Sequence, residues 1–165
     1  MFQIRPTTSA DITSVNALLA RSYPRLLKPD YAPSVLVLAL PKTSRAQPAL
    51  VTCGTYYLVE DQHGALLGAG GWTLAALGSG AITRGVGHIR HVVTDATATR
   101  RGVGRALMDH IIAAAQTLGL RPLRCLSTRT AVSFYRVMGF EPLKDVTVPL
   151  GRGIDFPAVE MERLL

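Results

Sequence analysis

The sequence predicts a mixed α/β fold formed by a single domain over residues 1–165. The chain has 165 residues, of which 48% are hydrophobic and 18% charged, enough apolar material for one buried core and too much for a disordered chain. Strand-like segments alternate with segments whose apolar residues recur at helical spacing. No internal repeat or linker divides them.

The N-terminal half is predicted to contain a strand, a helix and a hairpin. Residues 2–5 are typical of a short strand, and residues 8–11 resemble a capping box that precedes apolar residues at helical spacing, Ile12, Val15, Leu18 and Leu19. Residues 34–40, within a proline-spaced stretch, fit a short helix or a strand, and periodicity does not decide between them. Strands at 55–60 and 65–74 flank Asp61-Gln62-His63-Gly64, a hairpin signal.

The C-terminal half is predicted to alternate strands and helices after a loop at residues 76–87. One helix carries the apolar stripe Val103, Leu107, Ile111, Ala114 and Leu118 and ends at Gly119. A second helix carries Ala131, Phe134, Tyr135 and Met138 and ends at Gly139. The predicted strands are 88–94, 122–126, 140–148 and 154–161.

The charge balance favours an anionic ligand. Eighteen Lys and Arg against eleven Asp and Glu give a net charge of +7, which is compatible with nucleic acid, a membrane surface or a phosphorylated cofactor. The basic residues are scattered, and the one dense group is Arg100, Arg101 and Arg105. This placement, with 6% aromatic residues, makes nucleic acid the weakest of the three.

Several other classes of protein are not expected. The longest aliphatic run, residues 35–40, is far short of the ~20 residues of a membrane span, and the N-terminus lacks a signal-peptide pattern. Cys53 and Cys125 have no CxxC spacing, so we predict no disulfide framework and no metal site, and we expect both thiols to be buried as small hydrophobes. The expected protein is soluble and cytoplasmic, with no membrane partner.

The strongest chemical signal is a glycine- and arginine-containing turn that opens a helix, Arg100-Arg101-Gly102-Val103-Gly104-Arg105. The glycines let backbone N–H groups approach an anion, and the start of the helix adds unsatisfied donors. Position 107 is Leu, so the GxGxxG dinucleotide pattern is absent, and so is a Walker A motif. The turn therefore predicts a pyrophosphate site, or else a basic helix start that binds nothing.

Two runs in this region resemble the GNAT superfamily of N-acetyltransferases. They are HVVTDATATRRGVGRALM and, some twenty residues later, STRTAVSFYRVMGF. The family carries Gln/Arg-x-x-Gly-x-Gly/Ala after a central strand and a Tyr in a later helix. The sequence departs from that pattern at Thr99, which replaces the Gln/Arg, and at Thr130, where many members have Asn. The resemblance implies the GNAT fold, a mixed and mostly antiparallel sheet flanked by helices.

The resemblance also implies acetyl-CoA as the acyl donor. Backbone groups of Val92, Val93 and Thr94 would bind the pantetheine arm, and the Thr130 hydroxyl would supply part of an amide's contacts. The pyrophosphate would be wrapped by Thr99, Arg100, Arg101, Gly102, Val103, Gly104 and Arg105. Members of the family transfer acetyl directly from the thioester to an amine.

Two residues are candidates for proton transfer. His88 occupies a strand position where some members carry a catalytic Glu, and it would accept the proton of the amine; an exposed strand histidine is the alternative. Tyr135 would protonate the departing thiolate, or it would belong to the core. Strand alternation predicts that His91 lies on the face opposite His88. Should His88 not be the base, Glu60 or an ordered water is next.

Five further interpretations remain. His63 and His110 are expected to be surface or packing residues, and Trp72 either packs or lines the acceptor pocket. The acceptor would be a small-molecule or peptide amine, contacted by residues 24–48, the loop 76–87 and the last strands, and its identity cannot be read from the sequence. Transfer of a larger acyl group and a CoA-binding sensor without turnover are the alternatives. A homodimer is left open.

Overall fold

The fold is a seven-stranded sheet with helices on both faces. In the computed structural model, which describes residues 1–151 and 153–165, the strands are β1 (Gln3–Pro6), β2 (Tyr56–Glu60), β3 (Leu66–Thr73), β4 (Gly87–Thr94), β5 (Pro122–Ser127), β6 (Glu141–Gly151) and β7 (Ile154–Leu164). They are ordered β1-β2-β3-β4-β5-β7-β6. All neighbouring strands are antiparallel except β4 and β5, which are parallel. The predicted mixed, mostly antiparallel sheet is confirmed.

The helices are α1 (Ile12–Leu27), α2 (Pro33–Thr43), α3 (Pro48–Val51), α4 (Val103–Thr117) and α5 (Val132–Val137). The capping box between Thr8 and Asp11 is present ahead of α1, as predicted. Residues 34–40, which fitted either a helix or a strand, are helical. Pro33 at the first helical position favours this outcome because its fixed φ suits the start of a helix.

The two faces of the sheet are covered by different helices. Helix α4 packs on one face through Leu107 and Ile111, and α1 packs on the other through Val15 and Leu18. Glycines of β3 let α4 lie close to the sheet: a Cβ on Gly70 would stand 3.1 Å from the Leu107 side chain. None of the helices among the described residues is long and apolar enough to cross a membrane.

One expectation about the cysteines is wrong. Cys125 is buried as predicted, on β5, but Cys53 is exposed. The apolar neighbours of Cys53 in the sequence, Val51 and Tyr56, are buried on either side of a turn that itself faces solvent. Burial therefore changes within a few residues at this turn, and the composition around the cysteine could not show it.

Candidate active site

Strands β4 and β5 separate after a short paired segment, which opens the middle of the sheet. They are in register only at Gly87 with Leu123 and at His88 with Arg124, whereas β4 runs on to Thr94. The Asp95 N–H donates to the Leu67 carbonyl of β3, and two residues earlier Val93 lies opposite Ala69. Because an antiparallel ladder alternates, the backbone groups of Val93 face β3, and those of Val92 and Thr94 face the opening.

The turn before α4 presents unused backbone donors beside this opening. The first hydrogen bond of the helix is donated by the Ala106 N–H to the Gly102 carbonyl at 3.0 Å. The N–H groups of Val103, Gly104 and Arg105 come before this bond and therefore have no acceptor within the helix. Gly102 caps the helix with φ of 83°, in the left-handed region that favours glycine. The start of α4 therefore presents three N–H groups without helical partners, which is the arrangement on which the predicted pyrophosphate site depends.

The surroundings of this turn fit its proposed role. Arg100, Arg101 and Arg105 are exposed, and none forms an ion pair within the described part of the chain. A Cβ on Gly104 would lie 3.2 Å from the Phe134 ring, a tight contact, and 3.5 Å from the Thr94 hydroxyl, an ordinary one. Thr99 is exposed, and its hydroxyl donates to the Ala96 carbonyl at 3.4 Å.

The loop between β4 and α4 is attached to α1. The Asp95 carboxylate accepts hydrogen bonds from the Thr97 N–H at 2.8 Å and hydroxyl at 2.7 Å, and it pairs with Arg21 at 2.7 Å. Burial would raise the pKa of Asp95, but the Thr97 hydrogen bonds and Arg21 outweigh it and lower the pKa to about 2. This carboxylate stays ionised at neutral pH and fixes the loop that leads into the anion-binding turn.

A bulge in β4 places His91 on the same face as His88, and the predicted alternation is wrong here. The register shifts between Ala69 and Gly71 of β3, and His91 has a φ of 41°. His88, Arg90 and His91 consequently line one cleft, whereas Val92 packs toward the α4 core. The extra residue breaks the two-residue period on which the prediction rested.

The two histidines differ in burial and in pKa. Burial lowers the pKa of His88 below its usual 6.5, and the charges of Arg90 and Arg124 lower it further. Deeper burial, again helped by Arg90, lowers the pKa of His91 to about 4. The His91 Nδ1 lies 3.5 Å from the Tyr23 hydroxyl. Both imidazoles are therefore neutral at pH 7, and His88 is the more accessible of the two.

Tyr135 lies on α5 and belongs to the same core cluster as the buried residues of α4. It is 5% exposed and packs edge-on against Phe134 and Phe140, with ring centroids 5.4 Å and 5.2 Å away. Burial raises its pKa well above 10, and the nearby Cys125 and Tyr23 add to the shift. The phenol therefore keeps its proton throughout the ordinary pH range.

The other residues singled out in the sequence differ in burial and in their contacts. Thr130, just before α5, has a buried hydroxyl that finds no partner within the described residues. Trp72 is 3% exposed and belongs to the core, so the packing interpretation is confirmed. His63 is exposed in the hairpin turn, and His110 packs edge-on against Tyr57 at 4.6 Å.

The cleft beside His88 is large and carries mostly positive charge. Its volume is about 690 Å³. Segments that are distant in sequence line it: the end of α1, the region of α2 and α3, the middle of the sheet, and β7. The charged residues other than histidine along its wall are Lys42, Arg45, Arg90, Arg124 and Glu160. Four cations thus face one carboxylate.

Comparison with known proteins decides the family. Residues 55–164 match the family described as the acetyltransferase (GNAT) domain. The chain belongs to the GNAT acetyltransferase family. It is therefore an acyltransferase, as the two runs in the sequence predicted. A search of curated protein sequences gave no match.

Solved structures of GNAT proteins share the fold at low sequence identity. A GCN5-related N-acetyltransferase from Rhodopseudomonas palustris is 19% identical, with 99% of this chain and 95% of that chain aligned at a TM-score of 0.78. The PaiA N-acetyltransferase from Thermoplasma acidophilum, solved in complex with coenzyme A, is 13% identical, with 100% and 99% aligned at a TM-score of 0.73.

The structure also assigns positions in this GNAT protein that sequence reasoning missed. Arg90 and Tyr23 line the cleft, although neither belongs to a motif. The only sequence feature that could have pointed to Arg90 was its positive charge two residues after His88 on a predicted strand. Glu60, the alternative base, pairs with Arg5 at 3.1 Å and is not among the residues that line the cleft.

Proposed function

We propose that the protein transfers acetyl from acetyl-CoA directly to a primary amine, and that residues 1–165 form one catalytic domain. The observation that carries this proposal is the opening of β4 away from β5 next to the unused N–H groups at the start of α4. An extended arm can pair with the free edge of β4 while its diphosphate lies on the turn.

The residues at this opening fit coenzyme A. Val92 and Thr94 direct backbone groups to the opening and would bond the pantetheine amides, whereas the ladder engages Val93 with β3. The N–H groups of Val103, Gly104 and Arg105 would bind the diphosphate, with added charge from Arg100 and Arg101. The unpartnered hydroxyl of Thr130 is available as a further donor.

His88 is the proposed base. When bound, acetyl-CoA supplies an electrophilic thioester carbonyl, and the acceptor must reach it as a free amine. Deprotonation of an alkylammonium at pH 7 costs roughly 4–5 kcal/mol at 1.36 kcal/mol per pKa unit. His88 is neutral at that pH because burial and two arginines lower its pKa, and it lines the cleft, so it can take the proton directly or through a water.

Tyr135 is the proposed proton donor to the leaving sulfur. Its raised pKa keeps the hydroxyl protonated at every working pH, so a hydrogen bond to developing negative charge is always available. From reference values, proton transfer from a phenol to a thiolate is uphill by about 2 kcal/mol, and burial of Tyr135 increases this cost. Stabilisation of the sulfur by a donated hydrogen bond therefore comes first, with the proton following as the thiol leaves.

A screen for release of CoA thiol tests the proposal. The purified protein is given acetyl-CoA and a panel of amines, and the expected result is thiol release that depends on one class of amine and yields the acetylated product. Propionyl-CoA and butyryl-CoA, as parallel arms, test transfer of a larger acyl group. Binding of acetyl-CoA without turnover on any amine would instead favour a CoA-binding sensor and contradict the enzymatic proposal.

A further inference from the structure

We propose that the acceptor is a small amine that also carries a carboxylate, and that Arg90 binds this carboxylate. The inference rests on the proposed function, because it names the class of amine that enters the cleft beside His88. Its evidence comes from the way Arg90 is held, the absence of an acidic partner for it among the described residues, and the charge of the surrounding wall.

The guanidinium of Arg90 is held rigidly at the wall of the cleft. Its Nε donates to the Thr73 hydroxyl at 2.9 Å and its Nη2 donates to the Ala75 carbonyl at 3.1 Å. The Thr73 hydroxyl itself donates to the Ala75 carbonyl at 2.9 Å, which closes the network. Because a guanidinium has five N–H donors, these two contacts leave three, in the fork geometry that matches a carboxylate.

The charge of Arg90 is not compensated within the described residues. No carboxylate lies within ion-pair distance of it, and the side chain is half-buried. The other acidic and basic groups nearby have partners: Arg124 pairs with Glu162 at 2.7 Å, and Glu160 with Lys144 at 3.6 Å. Burial lowers the pKa of Arg90, which reports the cost of holding a cation there without a partner.

The remaining cations of the cleft point to the same class of acceptor. Lys42 and Arg45 line the wall formed by the region of α2 and α3, and neither forms an ion pair among the described residues. A wall of this charge repels a polyamine or any other polycation. It also disfavours the ammonium form of the acceptor, so it lowers the pKa of a bound amine and helps the work assigned to His88.

The size of the cleft favours a small molecule. A volume of about 690 Å³ lies within the ~300–1,000 Å³ range of sites that enclose small ligands. In this arrangement Arg90 holds the carboxylate while the amine lies toward His88, two residues earlier on the same face of β4. The two groups of a small amino acid are enough for this recognition, and the backbone of a peptide acceptor is not required.

A set of matched acids and amides tests the inference. Glycine, β-alanine, 4-aminobutyrate, phenylalanine and methionine are assayed beside their carboxamides, together with spermidine and a peptide with an acidic N-terminal residue. We expect kcat/KM to be about 10- to 100-fold higher for the preferred acid than for its amide, the range for a charge-assisted pair. Equal rates for acid and amide, or preference for spermidine or for the peptide, would overturn the inference.

Substitution of Arg90 locates the effect. Arg90→Gln should raise KM for the acid about 10- to 100-fold and leave the amide unchanged, so that the preference disappears. Arg90→Lys keeps the positive charge without the forked donors, so it should retain part of the preference for the acid. Arg121→Gln removes an exposed arginine outside the cleft and should change neither substrate. Equal losses for acid and amide in Arg90→Gln would make Arg90 structural and refute the proposal.

Binding measurements keep this test separate from the test of turnover. With CoA present, thermal unfolding is followed with N-acetylglycine and N-acetylphenylalanine against their amides. Stabilisation by the acids alone, lost in Arg90→Gln, supports the carboxylate site even if no amine is acetylated. If CoA stabilises the protein and the acids do not, the inference is overturned. The proposed function is then still tested separately, by the assay for thiol release.

Discussion

His88 and His91 lie on the same face of β4, although three positions along a regular strand would put them on opposite faces. The left-handed backbone of His91, with φ of 41°, inserts an extra residue opposite β3. The Tyr56 hydroxyl donates to the His91 carbonyl at 3.0 Å and supports this conformation. The cleft therefore contains two neutral imidazoles, and their different pKa values allow an experiment to tell them apart.

The pH profile should identify His88 as the base. A base acts only when unprotonated, so kcat/KM should rise with pH and level off with an apparent pKa below 6.5, since the pKa of His88 is lowered. His88→Ala should remove this limb and slow the reaction at pH 7, with the defect shrinking at pH 9 as free amine accumulates. His91→Asn, which tolerates the left-handed backbone, should keep the limb.

Two outcomes would contradict this assignment. A limb near pH 4 that disappears in His91→Asn would make His91 the base, because its pKa is about 4. Retention of both rate and profile in His88→Ala would leave an ordered water as the base, since Glu60 is paired with Arg5 at 3.1 Å.

Tyr135→Phe should lower kcat and leave the affinity for CoA nearly unchanged. The ring still packs against Phe134 and Phe140, so only the hydrogen-bond donor is lost. Proton transfer by a positioned side chain typically contributes 10²–10⁴-fold, and we expect a loss within that range. Tyr57→Phe, which removes a phenol from another part of the core, is the matched control. Unchanged turnover, with chemistry limiting, would return Tyr135 to a purely structural role.

Asp95 should stabilise the protein at neutral pH and lose this effect in acid. Its folded-state pKa is about 2, below the ordinary 3.8, so its contribution is complete above roughly pH 4 and is lost as pH falls toward 2. Asp95→Asn should lower the free energy of unfolding at pH 7 by about 1–2 kcal/mol, with the difference disappearing near pH 2. Urea unfolding measures both. Asp109→Asn, an exposed change on α4, should have little effect; an equal effect would refute the prediction.

Gly70→Ala should destabilise the fold and disturb the opening. The added Cβ would stand 2.7 Å from Val92 Cγ2 and 3.0 Å from Val92 Cα, so β4 must shift at the bulge. Overpacking of this kind typically costs 1–3 kcal/mol, and kcat should fall with it because Val92 borders the proposed donor site. Gly64→Ala, in the hairpin turn, has open space around it and a φ of 80°, so it should show only the cost of the left-handed backbone, about 1–2 kcal/mol, with kcat unchanged. Equal kcat in both variants would contradict the expected effect of the Gly70–Val92 contact on turnover.

The features that the sequence could predict are those encoded locally. The hairpin after Glu60, the glycine turn at 102–104 and the stripe of α4 each depend on a few neighbouring residues, and all three are present. Leu118, the last residue predicted for the stripe, is the exception: it follows the end of α4 and is exposed. The bulge at His91 was not predictable by alternation, because Gly70 on a neighbouring strand accommodates it. The charge of the cleft was equally hidden, since the topology brings Lys42, Arg45 and Arg124 together from separate segments.

Thermal unfolding with increasing CoA tests the central claim most directly, namely that the opening beside α4 binds this donor. At about 100 times its dissociation constant, CoA should add about 2.7 kcal/mol of stability and raise Tm. Gly104→Asp should abolish the shift through its negative charge, and Gly104→Ala, whose Cβ would stand 3.2 Å from Phe134, measures the steric part alone. Ala113→Asp, an exposed position on the same helix, should keep the full shift. No rise in Tm at millimolar CoA would contradict the account.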